Sequence, residues 1–304
     1  MTAPTPKPAA KALAAPVAKA TVAPPAWDAI DCQAQRLRDR RPLDDFADKV
    51  LTGALRTARD EGNPIRGNLF AAASRELTTH LLHDLAPEDQ VRACAWFVQA
   101  KDTMTVTRAQ RAAYITHGGM TPDYVEKTLG LHADDFVKPL TEAMDELNKR
   151  THLKANTVLA DDIAIRGLAA DIFDSIEGLL DMAEECRSSV ISELRGQIDQ
   201  QIIDRMIGEV IGELDELSTH TQIEGHDTEE IEIAGIGPNQ IRFGVSGTVY
   251  VTLQYGSGSD RRNGDGASMS DNYPFTATVI TQAADPAKFE EIVDLEVDTS
   301  SFYE

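Results

Sequence analysis

From 140 to 236 the chain contains no proline. Within that stretch apolar side chains return every three or four residues, at Ile172, Ile176, Leu179, Ala183, Cys186, Val190, Leu194, Ile198, Ile202, Met206, Val210, Leu214 and Leu217. This is the rhythm of an α-helix with one buried stripe, and no proline interrupts it. An unbroken helix of about 60 residues would be about 90 Å long, more than a compact domain holds. The expectation is therefore a break near Arg187, Ser188 and Ser189 that makes a helical hairpin, or a coiled-coil-like pairing with a partner or a second copy.

Charge follows the same stretch. Residues 159–232 hold 20 acidic and four basic side chains, so they carry most of the formal net charge of −21. Such a field repels phosphate backbones, and any nucleic-acid contact has to use the arginines before 159. The three cysteines, Cys32, Cys94 and Cys186, are odd in number and far apart, which indicates neither a disulfide framework nor a zinc ribbon. With no apolar run long enough for a membrane span and no signal-peptide core, a reducing cytosol is the expected setting.

Either side of the acidic stretch reads differently. Residues 1–26 are rich in Ala, Pro and Lys with few bulky apolar residues, a composition that does not offset the entropy of ordering and reads as a disordered tail. From Trp27 to about 158 the pattern is helical. Two short helices meet near Pro42, Asn68 is placed to cap a helix reaching Leu85, and Thr107 is placed to cap one that ends at Gly118 and Gly119. Thr121 and Pro122 open the next, Gly130 closes it, and a further helix covers 134–150 with Pro139 inside it.

After Gly225 the period falls to two: Ile231 and Ile233, Ile241 and Phe243, then Val249, Val251, Leu253 and Tyr255, followed by strands over 273–281 and 292–297. The fold class expected is α+β. Its parts are a tail at 1–26, an α-helical domain at 27–158, a long acidic helix or helical hairpin at 159–222, and an antiparallel β domain of four or five strands at 223–304.

Candidate sites lie mainly in the helical part. Glu76, His80 and His83 share a helix face at i, i+4 and i+7, as metal ligands can, but no further cluster completes the set and no metal is assigned. Arg75 and His80 form an R-x4-H spacing like the metal-independent RNase motif of HEPN domains, in which arginine and histidine act on the scissile phosphate. Arg108 and Arg111 sit on one predicted helix and could meet a phosphate, although an intramolecular carboxylate, such as those of the acidic helix, is the plainer partner. The segment 107–130 has the outline of a helix-turn-helix, yet its second helix offers Asp123 and Glu126 against Lys127, which suits packing better than groove reading. In the glycine-rich loop, placed at 256–272, Asp260, Asn263 and Asp265 offer oxygen donors for a hard cation, without EF-hand spacing. There is no P-loop, no G-x-S-x-G elbow, no Rossmann fingerprint and no acidic-lysine nuclease core.

The strings GNLFAAASRELTTHLLHDLAPEDQVRACAWF (67–97), TRAQRAAYITHGGM (107–120), LNKRTHL (147–153), ELDELSTH (213–220), YGSGSDRRNGDGA (255–267) and YPFTATV (273–279) resemble the predicted prokaryotic-PIWI-associating nucleases of bacterial conflict systems. The resemblance covers most of the chain after Trp27. It implies a nuclease or nuclease-like effector beside an Argonaute-like protein or a helicase, with nucleic acid met through the helical part. The polar residues it singles out are Arg75, His80, Arg108, Arg111, His152, His220 and Asp260, without assigning which are catalytic. The alternative is a noncatalytic protein that oligomerises through the long helix and binds a partner or ligand with its sheet.

Overall fold

A single helix of 47 residues, α8 (Asp162–Gly208), runs through the molecule, about 70 Å at 1.5 Å per residue. The computed structural model describes residues 24–101, 103–257, 259 and 266–303. Among the described residues seven helices precede α8: α1 (Trp27–Arg40), α2 (Asp45–Ala58), α3 (Arg66–Leu85), α4 (Glu88–Ala93), α5 (Arg108–His117), α6 (Pro122–Lys127) and α7 (Asp134–Thr151). After it come a short α9 (Gly212–Asp215) and four strands, β1 (His220–Ile236), β2 (Gln240–Tyr255), β3 (Ala267–Gln282) and β4 (Phe289–Val297), closed by a 3-10 turn at Ser300–Tyr303. Among the described residues no helix is long and apolar enough to cross a membrane.

The expected break at 187–189 does not occur. Ser188 is exposed, while Cys186 and Val190 on either side of it are fully buried, so the stripe passes the serines without changing face. Serine alone neither removes an N–H nor demands a positive φ, and it does not stop a helix whose flanks are packed. The length argument assumed one core, and the helix serves two. Its first half, from Ile165 to Leu179, closes a core with α1, α2, α3 and α7 through Ile30, Leu51, Phe70, Leu81, Leu140 and Met144. Its second half, Cys186 to Met206, lies on the sheet against Phe243, Val245, Val251, Leu253, Tyr273 and Phe275. The stripe from Ile172 to Met206 is thus covered from within the chain. The helix also ends sooner than expected, at Gly208; Val210 is 80% exposed, and Leu214 and Leu217 are buried from α9 and the turn after it.

The four strands form an antiparallel meander in the order β1-β2-β3-β4. On β2, Ile241, Phe243, Val245, Val249, Val251 and Leu253 face α8 and are buried, and the residues between them face outward, as the period of two requires. Two expectations shift at the edges. The strand structure begins at His220 rather than 223, and β3 begins at Ala267, so the connection from β2 is 256–266 and shorter than expected.

Caps and glycines position the site. Thr107 caps α5 with a full capping box, its hydroxyl accepting from Gln110 N at 3.2 Å and Gln110 Oε1 accepting from Thr107 N at 2.9 Å. At the other end Gly118 has φ 58°, the left-handed stop that glycine adopts without a Cβ clash. Gly119 N then donates to Gly237 O at 3.1 Å, and a Cβ on Gly119 would lie 2.1 Å from Pro238 O. The glycine pair therefore stops the helix and also seats the β1-β2 hairpin against the helical part.

Asn68 is not a cap. It lies in the first turn of α3, where its amide donates to Arg150 O and Thr157 O, both at 2.8 Å, and accepts from Leu159 N at 2.9 Å. This clamp holds the α7–α8 connection to the start of α3. α7 continues through Pro139. Of the expected tail, 1–23 lie outside the described residues, while the carbonyls of Pro24 and Pro25 accept from Arg166 on α8 at 3.3 and 2.8 Å.

Candidate functional site

The last turns of α3, the start of α5 and the middle of α7 enclose a cleft of about 430 Å³, with the segment 103–107 as its lip. α5 brings its positive N-terminal end to this cleft, and Arg108 is its first residue and exposed. One turn on, Arg111 is only 3% exposed. Its guanidinium donates to Ala86 O and lies 3.5 Å from Glu88, while its Nε has no protein partner. Burial lowers the pKa of this guanidinium and the neighbouring carboxylate of Glu88 offsets part of the effect.

From α3 comes His83. His83 is itself exposed, and its partial desolvation first, then the positive charge of Arg111, hold its pKa below the ordinary value of 6.5, which favours the neutral ring. Thr79 stands one turn before it and Asp145 faces across from α7. Leu82, Val106 and Met144, all buried, make the apolar floor. A phosphate fits this arrangement chemically: two guanidinium groups and a helix N-terminus for charge, hydroxyls for hydrogen bonds, and a neutral imidazole for proton transfer.

The other candidates lie elsewhere. Arg75 bonds its own neighbour Glu76, and His80 Nε2 lies 2.8 Å from Asp44, the N-cap of α2, with its ring against Phe46. Five residues apart on a helix, the two side chains diverge by about 140°, so the R-x4-H spacing does not present them to one phosphate. His152 is exposed at the end of α7 and His220 is exposed at the start of β1. His152 follows Arg150, whose carbonyl Asn68 holds, and Asn68 is 15 residues, about 22 Å, along α3 from His83. Asp260, Asn263 and Asp265 lie outside the described residues.

The face of Glu76, His80 and His83 is divided among Arg75, Asp44 and the cleft. Among the described residues no group of three or more His, Cys, Asp or Glu is placed to hold a metal. The carboxylate beside Arg111 belongs to α4 and not to the acidic helix, whose own acids Glu177, Asp181 and Glu184 pair with Arg36 and Arg40 of α1.

The sequence thus offered Arg108 and Arg111 as two arginines of one helix, and carried no sign that His83, Thr79 and Asp145 join them. The spacing of His83 with His80 and Glu76 reads only as a ligand face on α3, and no local signal ties it to a helix that starts 25 residues later.

Residues 41–176 match one family model and residues 183–303 match a second, and both models are described as predicted pPIWI-associating nuclease. No curated protein and no solved structure matches the chain.

Proposed function

The chain belongs to the predicted pPIWI-associating nucleases, and from that premise we propose that it acts on nucleic-acid phosphodiesters at the cleft between α3, α5 and α7. Arg108 and Arg111 hold the phosphate. His83 takes the proton of the attacking hydroxyl, a water or a ribose 2′-OH, as its oxygen bonds to phosphorus. The P–O bond opposite then breaks, and the leaving oxygen takes its proton from solvent. The guanidinium groups offset the charge that gathers on the phosphoryl oxygens in the transition state. The partner in this reading is a pPIWI protein, as the family name says, and a cytosolic setting goes with it. The observation that carries the reading is the meeting of two arginines with a neutral histidine in one cleft of a chain whose net charge is −21.

The test is cleavage of labelled single- and double-stranded DNA and RNA, with EDTA and separately with magnesium or manganese. Arg108→Ala and His83→Asn are expected to lose about 100-fold or more in kcat/KM. Arg75→Ala and His80→Ala, whose side chains do not line the cleft, are expected to stay within about threefold of the parent. If full activity survives in the first pair, or is lost only in the second, this assignment is wrong.

The noncatalytic alternative retains its sheet surface. Its oligomerising helix is less favoured, because the stripe from Ile172 to Met206 is buried within the chain.

A further inference from the structure

We infer that the cleft accommodates one unstacked nucleotide, so that the nucleic acid engaged is single-stranded or frayed and not intact duplex; this rests on the reading proposed above. Size is the first reason. About 430 Å³ lies within the range of roughly 300–1,000 Å³ that encloses one small-molecule-sized group, and it cannot admit a base pair with its stacked neighbours.

The second reason is the mixture of groups that line it. Arg108, Arg111 and His83 offer charge and hydrogen bonds, and Val106 and Met144, 6% and 1% exposed, are apolar. A phosphate needs the first and the face of a base or sugar suits the second. In a duplex both faces of every base are already covered, so an unstacked base is required to use that floor.

Third, Arg111, which lines the cleft, keeps a buried Nε with no protein acceptor. A donor of this kind, left unpaired, costs free energy that an oxygen seated at the site would recover. Fourth, duplex DNA carries one charge per roughly 1.7 Å, and a protein of charge −21 repels every phosphate that it does not hold. A flexible strand can touch at one place and turn away, whereas a stiff duplex cannot.

Fluorescence anisotropy in EDTA on the full chain tests this with a labelled 12-nucleotide single strand, a blunt hairpin duplex of the same sequence, and a nucleoside monophosphate as competitor. The single strand is expected to bind at least about tenfold tighter than the duplex. Its log–log salt slope should lie near −1, since one or two phosphates are held at roughly 0.7 each. The monophosphate should compete. Arg108→Ala should weaken binding about tenfold, and Ala109→Glu, exposed at the cleft and favourable for a helix N-terminus, should do the same without unfolding the protein. Duplex bound as tightly as the single strand, a slope steeper than about −4, or no competition by the monophosphate overturns this inference and leaves the proposed function standing. No binding of any strand removes both.

Discussion

α8 reads alike along its whole length and is used in two ways. From Ile165 to Leu179 its stripe is walled by helices, and its outer acids are tied down by the arginines of α1, Arg36 with Glu177 and Arg40 with Asp181 and Glu184. From Cys186 to Met206 the same stripe lies on a sheet, and the ion pair described there is a local one between Arg205 and Glu209. The two family matches end and begin, at 176 and 183, where one core gives way to the other. One helix thus carries a buried stripe past two different partners, and nothing in its periodicity marks the change.

The largest test breaks the helix between its halves. Ser188→Pro should cost about 3 kcal/mol or more, through a lost hydrogen bond and a clash with the preceding turn, and should split urea unfolding into two transitions. A variant as stable as the parent would mean that α8 bends at the serines in solution after all.

The next concerns His117, which sits 2% exposed at the joint between α5 and the hairpin, its ring edge-on to Trp96. Burial holds its pKa down at about 4, against an ordinary 6.5 in the unfolded chain. The unfolded state therefore takes up the proton first as pH falls. Stability from this residue is intact above pH 6.5, declines by about 3 kcal/mol between 6.5 and 4, and changes no further below. Denaturation midpoints across that window, set against His117→Leu, should show the decline flattened in the variant. An equal decline in both would assign the acid sensitivity to other groups.

The smallest effect is expected on the helical side. Arg40→Ala removes two half-exposed pairs and should cost under about 1 kcal/mol, vanishing in 1 M salt. A larger, salt-insensitive loss would show that α1 is held to α8 by these charges and not by Ile30, Ala34 and Leu37.

Much of the fold was legible because its signals are local. Thr107 with Gln110, Thr121 with Pro122, and the glycines after His117 act within a few residues of themselves, and α5 and α6 begin and α5 ends where they say. The alternation of β2 needed only its own two faces. Asn68 misled for the opposite reason: an asparagine at a helix start can accept from its own turn, and here it reaches residues 82 to 91 positions away. The candidate site was half legible. Arg108 and Arg111 stand out as two arginines on one helix. His83 joins them only because α3 and α5 pack side by side, whereas the R-x4-H spacing of Arg75 and His80 was visible and, on a real helix, points two ways.

What the sequence by itself determined is which stretches coil, which pleat and which side of each leaves water. Those follow from backbone period and caps. Only the tertiary structure decided what covers each side, that α8 spans two cores without folding back, and which histidine stands beside the arginines. The physical reason is that burial of apolar surface is non-directional: a stripe records that it will be covered, not by what.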